Sequence, residues 1–261
     1  MTGLRILYPS DPLDAKKPDP TYVEEYRAAM ETGIACSLFS VEDFEIGDFR
    51  ARPPLANEDA VIYRGWMLTP ERYSELETVI AQRAAKLLTS TDQYRSCHYL
   101  PEWYERCKDL TPKTVFAGRH DHLGDTIANC GWSAYFVKDH VKSLTTSRGS
   151  VAKNLDEIID VVTQIDKFRG GIEGGICIRE FEHLLSETEE RYFVFRGRPF
   201  ARDGIIPDVV RDIASRMESP FFSIDIVANT DGALRLIELG DGQVSDRKKW
   251  SVAHFMKIFA D

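Results

Sequence analysis

Residues 221–243 read FFSIDIVANTDGALRLIELGDGQ, in which two apolar runs flank an Asn-Thr-Asp-Gly turn. Apolar runs separated by such a turn predict a β-hairpin, here with strands over residues 221–228 and 233–239. The first predicted strand contains Asp225, and the second ends near Glu238. If the strands pair across the turn, we expect the two carboxylates to approach each other at one end of the hairpin.

Two carboxylates in otherwise apolar strands repel each other unless a positive charge lies between them. A hard divalent cation such as Mg²⁺ supplies that charge and leaves coordination positions for phosphate oxygens and water. Asp241, three residues after Glu238, offers a third oxygen ligand. The pattern therefore predicts a magnesium site at Asp225, Glu238 and Asp241, and the alternative is that each acid is exposed to solvent on the hairpin edge.

A second group of candidate residues is basic. Lys138 lies in a predicted strand over residues 135–141, and Lys142 follows it, just before a loop at residues 143–150 that is rich in Ser, Thr and Gly. An ammonium group beside flexible loop amides suits the binding of a phosphate group. The alternative is that both lysines are solvated at the end of a strand.

Charged residues also follow the apolar run that begins at Ile178. The polar run at residues 186–190 predicts a hinge, and Arg191 and Arg202 lie on successive strands of a second predicted hairpin. If both arginines point to the same side, they offer two guanidinium groups to one anion. The alternative is that they form surface ion pairs with nearby glutamates.

The first ninety residues alternate short apolar runs with amphipathic segments. Alternating strands and helices predict a parallel sheet that is covered on both faces. Later in the chain the pattern changes to antiparallel pairings, which predicts an α+β C-terminal lobe. We therefore predict an α/β chain with an N-terminal domain at 1–90 and a second domain at 91–261, whose lobes span about 113–179 and 180–261. The predicted strands of the N-terminal domain lie at residues 4–8, 34–39, 60–63 and 86–88, and its helices at 22–31 and 71–83.

Composition excludes several classes of protein. The net charge is −9, which makes binding along a nucleic-acid backbone a poor fit. No apolar run approaches 18 residues, so no transmembrane helix is expected, and the N-terminus lacks a signal-peptide layout. The five cysteines are widely spaced and form no C-x-x-C pair, which is typical of reduced thiols in the cytoplasm. We expect a cytoplasmic protein with no nucleic-acid or membrane partner.

Taken in order, these segments resemble the ATP-grasp superfamily, in particular its small Arg/Lys-marked clade of bacterial and phage proteins that are predicted carboxylate–amine ligases. The matching stretches are YRGW at 63–66, HYLPEW at 98–103, FVKDHVKS at 136–143, IREFE at 178–182, RYFV at 191–194, SIDIV at 223–227 and IELGDGQ at 237–243. The resemblance implies an ATP-grasp fold, in which an N-terminal α/β domain, the pre-ATP-grasp domain, supports two lobes that clamp ATP.

The resemblance also implies which residues bind the nucleotide. The implied residues are Lys138 and Lys142 for the phosphates, Glu180 with the backbone of Phe181, Glu182 and His183 for adenine, and Glu187 for the ribose.

The family comparison implies that Asp225 and Glu238 hold Mg²⁺. The family often has Asn two residues after the metal-binding glutamate, and this chain has Gly240 there. Asp241 is the substitute that the sequence offers, and the number of metal ions stays open.

The activity implied is that of an ATP-dependent carboxylate–amine ligase, which forms an amide through an acyl phosphate with Mg-ATP. Lys138, Arg202 and Arg191 are the implied catalytic residues, with Arg202 contacting the transferred phosphoryl group and Arg191 contacting either that group or the acceptor carboxylate. The implied partners are a small-molecule or peptide carboxylate and an amine. Two alternatives stay open, a phosphotransferase on the same scaffold and a non-catalytic nucleotide-binding or interaction module. The oligomeric state is also open, with a homodimer among the alternatives.

Three further features have both a functional and a structural interpretation. The sequence His120-Asp121-His122 is too sparse for a metal site and is better explained as a loop cluster. Arg64, at a strand end, is a candidate for the acceptor carboxylate or for a capping or surface role. The aromatic residues between 94 and 104 either line a ligand pocket or pack between lobes.

Overall fold

The structure is a computed structural model that describes residues 3–118, 122–143 and 146–260. Of the residues discussed above, His120, Asp121, Leu144 and Thr145 lie outside this described part of the chain. The strands are β1 Leu4–Asp11, β2 Asp14–Pro18, β3 Ala35–Phe39, β4 Ala60–Tyr63, β5 Lys86–Leu87, β6 Thr114–Ala117, β7 Tyr135–Asp139, β8 Val151–Ala152, β9 Ile176–Glu180, β10 Leu184–Phe195, β11 Arg198–Phe200, β12 Phe221–Asn229 and β13 Leu234–Asp241. The helices are α1 Val23–Glu31, α2 Val41–Glu45, α3 Pro70–Ala81, α4 Thr91–His98, α5 Leu100–Cys107, α6 Leu123–Ile127, α7 Leu155–Arg169, α8 Asp208–Arg216 and α9 Val252–Met256, with short 3-10 helices at Pro20–Tyr22 and Lys257–Phe259.

Tertiary contacts divide the chain into two compact units, each built from separate stretches of sequence. Unit 1 comprises Met1–Cys97, Arg191–Ile224 and Gly240–Asp261, and unit 2 comprises His98–Glu190 and Asp225–Leu239. These units follow contacts in space, so the domain boundaries predicted from the sequence stay a prediction.

The sheet of unit 1 confirms the predicted parallel arrangement. Strand β1 pairs in parallel with β3 and β4, β4 pairs in parallel with β5, and β2 adds an antiparallel edge. Side chains that alternate along β1 enter two different cores, Ile6 and Tyr8 on one face and Leu7 on the other. The sheet is therefore covered on both faces, which explains why its strands are almost continuously apolar.

The sheet of unit 2 is antiparallel, in the order β6-β9-β7-β8. One face packs on α7, whose residues Ile158, Val161 and Ile165 are at most 1% exposed. The helix begins at Asn154, whose side chain accepts a hydrogen bond from the Glu157 amide at 3.0 Å, as predicted from a capping sequence.

Strands β11, β10, β12 and β13 form a further sheet in that order. The predicted turn between β12 and β13 is confirmed, since the Asn229 side chain accepts hydrogen bonds from the Asp231 and Ala233 amides. The predicted hinge at residues 186–190 is wrong, because these residues belong to β10. Strand β11 pairs with β10 only from Phe193 onward, so the preceding part of β10 has an edge on which polar residues can face solvent.

No helix among the described residues is long and apolar enough to cross a membrane. The five cysteines are free thiols. Pro101 lies in the first turn of α5, one residue after the chain breaks between α4 and α5, so the predicted split of this helical region is confirmed.

Candidate functional site

A cavity of about 530 Å³ is lined by residues of unit 2. Strands β7 and β9 contribute one wall, with Phe136 opposite Arg179 and Lys138 opposite Cys177. Residues that are directly opposite in an antiparallel pair share a face, and neighbouring residues along a strand do not. Because the intervening residues pack on α7, the side chains of Phe136, Lys138 and Arg179 face the cavity.

Lys138 is a buried cation in this wall, with 5% of its surface exposed. Its Nζ donates to the Val141 carbonyl at 3.0 Å and lies 3.2 Å from Oε1 of Glu238. The turn after the lysine is fixed by the buried carboxylate of Asp139, which accepts hydrogen bonds from the Val141 and Lys142 amides. The fold therefore places an ammonium group at the cavity with Glu238 as its acidic partner.

Glu238 and Asp225, the two predicted metal ligands of unit 2, differ in exposure. The Glu238 side chain is 41% exposed and lines the cavity, whereas Asp225 is 2% exposed. Leu236 and Leu239 are both buried although they are three residues apart, so the regular alternation of β13 breaks between them. As a result, Ile237 and Glu238 both line the cavity.

Arg179 is a cavity residue for which the sequence suggested no role. It is 5% exposed, and its guanidinium donates to the Ile237 carbonyl at 2.9 Å and to the Thr111 hydroxyl at 2.5 Å. Burial lowers the pKa of Arg179 to about 10, although Glu238 and Glu182 partly oppose that shift. The signal that could have revealed it is an arginine inside the otherwise apolar strand β9.

The segment between β9 and β10 lines another part of the cavity with Phe181, Glu182 and His183. Glu182 forms a two-bond ion pair with Arg235, with both distances 2.8 Å, and the His183 carbonyl accepts from the Thr230 amide at 3.3 Å. The connecting segment, which the family comparison assigned to adenine, is thus tied to the β12–β13 hairpin.

The cavity has the size and the polarity for a nucleotide. Small-molecule sites are mostly apolar clefts of roughly 300–1,000 Å³ with a few charged groups. Here apolar residues such as Phe136 and Val227 are combined with the charges of Lys138, Arg179 and Glu238.

The acids also fit a magnesium ion that is bound together with phosphates. Among the described residues, no three His, Cys, Asp or Glu side chains are grouped so that they could hold a metal ion by themselves. Mg²⁺ usually takes one or two carboxylates and completes its shell with phosphates and water. Glu238 and Asp225 therefore match the type of site expected beside a nucleotide.

Several predicted residues of unit 2 do not line the cavity. Lys142 and Glu187 are exposed, and Asp225 is buried in β12. Their predicted roles in binding phosphate, ribose and metal stay predictions.

Three predicted site residues belong to unit 1. Arg202 is exposed, and Arg191 pairs with Asp246 at 2.8 Å. Asp241 is fully buried, its Oδ1 accepts from the backbone and side chain of Gln243, and burial raises the pKa of Asp241 to about 7. The catalytic roles of the two arginines and the metal role of Asp241 also stay predictions.

Arg64 and the aromatic residues have structural environments in unit 1 and unit 2. Arg64 is 3% exposed and pairs with Glu25, so its predicted capping or surface role is wrong. Tyr94 stacks on Tyr73 at 4.2 Å between ring centroids, and Trp103 is 1% exposed in α5, which is the packing role that the sequence favoured.

Comparison with known proteins places this geometry in a family. The sequence model that describes the ATP-grasp domain of the Arg/Lys clade, family 3, matches residues 128–259, just over half of the chain. No curated protein sequence matches the chain.

Solved structures of ATP-grasp ligases share the fold. The ligase PsnB, solved with a minimal precursor, Mg and ADP, is 12% identical with a TM-score of 0.62, covering 100% of this chain and 97% of that chain. The D-cycloserine synthetase DcsG is 13% identical with a TM-score of 0.63 and 99% coverage of both chains. The D-alanine–D-alanine ligase from Bacillus anthracis is 9% identical with a TM-score of 0.63, covering 99% of this chain and 95% of that chain. The ATP-grasp fold predicted from the motifs is confirmed, and the chain belongs to family 3 of the Arg/Lys clade of ATP-grasp domains.

Proposed function

We propose that this chain is an ATP-dependent carboxylate–amine ligase that forms an amide bond through an acyl phosphate. The observation that carries the proposal is the buried Lys138, which pairs with Glu238 at the wall of a nucleotide-sized cavity in an ATP-grasp chain. A cation and an exchangeable acid side by side are what phosphate and metal binding require.

In this proposal Lys138 and Lys142 bind the ATP phosphates. Glu180 and the segment 181–183 contact adenine, and Glu187 contacts the ribose. The cavity supports this assignment, because Lys138 and residues 180–183 line the same space.

Glu238 and Asp225 would hold Mg²⁺, with Asp241 as a further candidate ligand. When bound, Mg²⁺ neutralises charge on the phosphates and orients them for transfer. Glu238 would exchange Lys138 for the metal, while Lys138 would exchange Glu238 for a phosphate oxygen. Because the Glu238 side chain is 41% exposed, this exchange requires little unpacking.

The chemistry follows from the charge of the reactants. A carboxylate is a poor acyl donor until it accepts the γ-phosphoryl group, after which an amine attacks the carbonyl carbon and phosphate leaves. Lys138, Arg202 and Arg191 would offset the negative charge that gathers during the transfer. The solved neighbours include a peptide-modifying ligase and amino-acid ligases, so amino acids and peptides are the first acceptors to test. The proposal includes a cytoplasmic location, which the five free cysteines support.

The test is a screen for ADP release with Mg-ATP against pools of carboxylates and amines, followed by mass spectrometry of the products. An amide product whose formation depends on both pools supports the ligase. A stable phosphorylated product would instead identify a phosphotransferase. Tight ATP binding without turnover on any pool would identify a non-catalytic nucleotide-binding module.

A further inference from the structure

The strand that carries Glu238 is irregular just before that residue. Leu236 and Leu239 are 0% and 1% exposed, and the two residues between them, Ile237 and Glu238, both line the cavity. In a regular strand these two neighbours would point to opposite faces. An irregularity of this kind, as in a β-bulge, disrupts the local hydrogen-bond ladder, so the backbone needs other partners.

Arg179 and Thr111 supply partners to the backbone at this point. Arg179 Nη1 donates to the Ile237 carbonyl at 2.9 Å, and the Thr111 hydroxyl donates to the Leu236 carbonyl at 2.6 Å. Arg179 Nη2 donates to the Thr111 hydroxyl at 2.5 Å, which links the two side chains. Both residues are at most 5% exposed, so water competes little for these bonds.

We infer that Arg179 is a positioning residue for Glu238, which directs the Glu238 carboxylate into the cavity by holding the Ile237 carbonyl. The inference rests on the proposed function, in which Glu238 binds Mg²⁺ next to the phosphates. The rigid fork of a guanidinium can hold a carbonyl and a hydroxyl at once. Groups that orient a metal ligand in this way typically change metal affinity by about 10–100-fold when they are removed.

The test compares ATP binding with and without magnesium. ATP affinity is measured by calorimetry in MgCl₂ and in EDTA, and the ratio of the two affinities is the readout. For Arg179→Met we expect the ratio to fall by about tenfold or more, because Glu238 is no longer held in place. We expect the affinity in EDTA to stay within about threefold, because Lys138 and the connecting segment remain.

Two further variants keep the test decisive. Thr111→Val removes only the bridging hydroxyl, so it should lower the ratio in the same direction by about threefold, and it decides the outcome if Arg179→Met does not fold. In a Glu238→Gln background, Arg179→Met should lower the ratio no further, because the group that it positions is already lost.

Arg148→Met is the matched control. It removes an arginine of the same unit that pairs with Asp160 at 2.6 Å and does not line the cavity, so it should leave the ratio unchanged.

Three outcomes would overturn the inference. Equal losses in MgCl₂ and in EDTA would mean that Arg179 contacts the nucleotide directly or only maintains the cavity. An unchanged ratio in both Arg179→Met and Thr111→Val would mean that Glu238 does not depend on this link. A wild-type protein whose ATP affinity is the same in MgCl₂ and EDTA would refute the proposed metal site itself, which separates failure of the proposed function from failure of the inference.

Discussion

Each compact unit contains a buried cation paired with a carboxylate, and the two pairs are built differently. In unit 1, Arg64 holds Glu25 through two bonds of 2.7 and 2.9 Å, and the two side chains are 3% and 5% exposed. In unit 2, Lys138 meets Glu238 through one contact of 3.2 Å, and the acid is 41% exposed.

The surroundings of the two pairs differ in the same sense. Arg64 also donates to the Gln243 and Ser245 carbonyls, and Arg247 donates to Glu25, so the network is closed. Lys138 and Glu238 instead line a cavity. Burial of a charge therefore does not identify a functional residue by itself. The informative feature is a partner that can be exchanged beside an open space.

The largest expected effect comes from the open pair. Lys138→Met should lower substrate-dependent ADP release at least about 100-fold, because it removes the charge proposed to stabilise the transferred phosphoryl group. Circular dichroism and the thermal unfolding midpoint serve as controls for folding. Release within a few-fold of wild type in a folded variant would contradict the role of Lys138.

The closed pair should instead control stability. Arg64→Met leaves Glu25 in a buried site with one cationic partner fewer, and we expect the free energy of unfolding to fall by about 3–5 kcal/mol. Urea titration with amide hydrogen exchange in β1 and β4 would measure this loss. At a temperature where the variant is folded, ATP affinity should stay within about threefold. A selective loss of affinity for the acceptor carboxylate would instead restore the binding role considered for Arg64.

A third prediction concerns acid sensitivity in unit 2. Burial, with smaller effects from Lys138 and Lys142, lowers the pKa of His98 from 6.5 to about 3. Because the unfolded state binds the proton more readily, this histidine destabilises the fold as the pH falls from 6.5 toward 3, by up to about 1.4 kcal/mol per pH unit. In urea unfolding, His98→Gln should show a shallower loss of stability than wild type over this range. Parallel pH profiles for the two proteins would refute the prediction.

The smallest effect is expected from the ion pair of the connecting segment. Glu182 and Arg235 are 23% and 21% exposed, and pairs of this kind contribute about 1 kcal/mol or less. Glu182→Gln should therefore weaken ATP binding by about threefold, measured by calorimetry. Arg72→Met, which breaks a solvent-exposed pair with Glu75 in α3, is the control and should not change ATP affinity. A loss of about 100-fold in Glu182→Gln would show that this acid contacts the nucleotide directly.

Much of the local structure was predictable because it depends on short-range rules. The strands of unit 1, the cap at Asn154 and the β12–β13 turn follow from apolar runs, capping residues and the Asp-Gly turn. The polar half of β10 was taken for a hinge, because an edge strand lacks the apolar alternation that identifies a strand from sequence.

The sequence by itself determined the family, the order of the elements and the two residues that meet at the cavity, Lys138 and Glu238. Only the tertiary structure decided which charges are exchangeable and which are locked. Arg179 was silent in the sequence because its partners, Thr111 and the Ile237 carbonyl, are 68 and 58 residues away along the chain. Hydrogen bonds over such separations depend on how strands are brought together, and that information is absent from local periodicity.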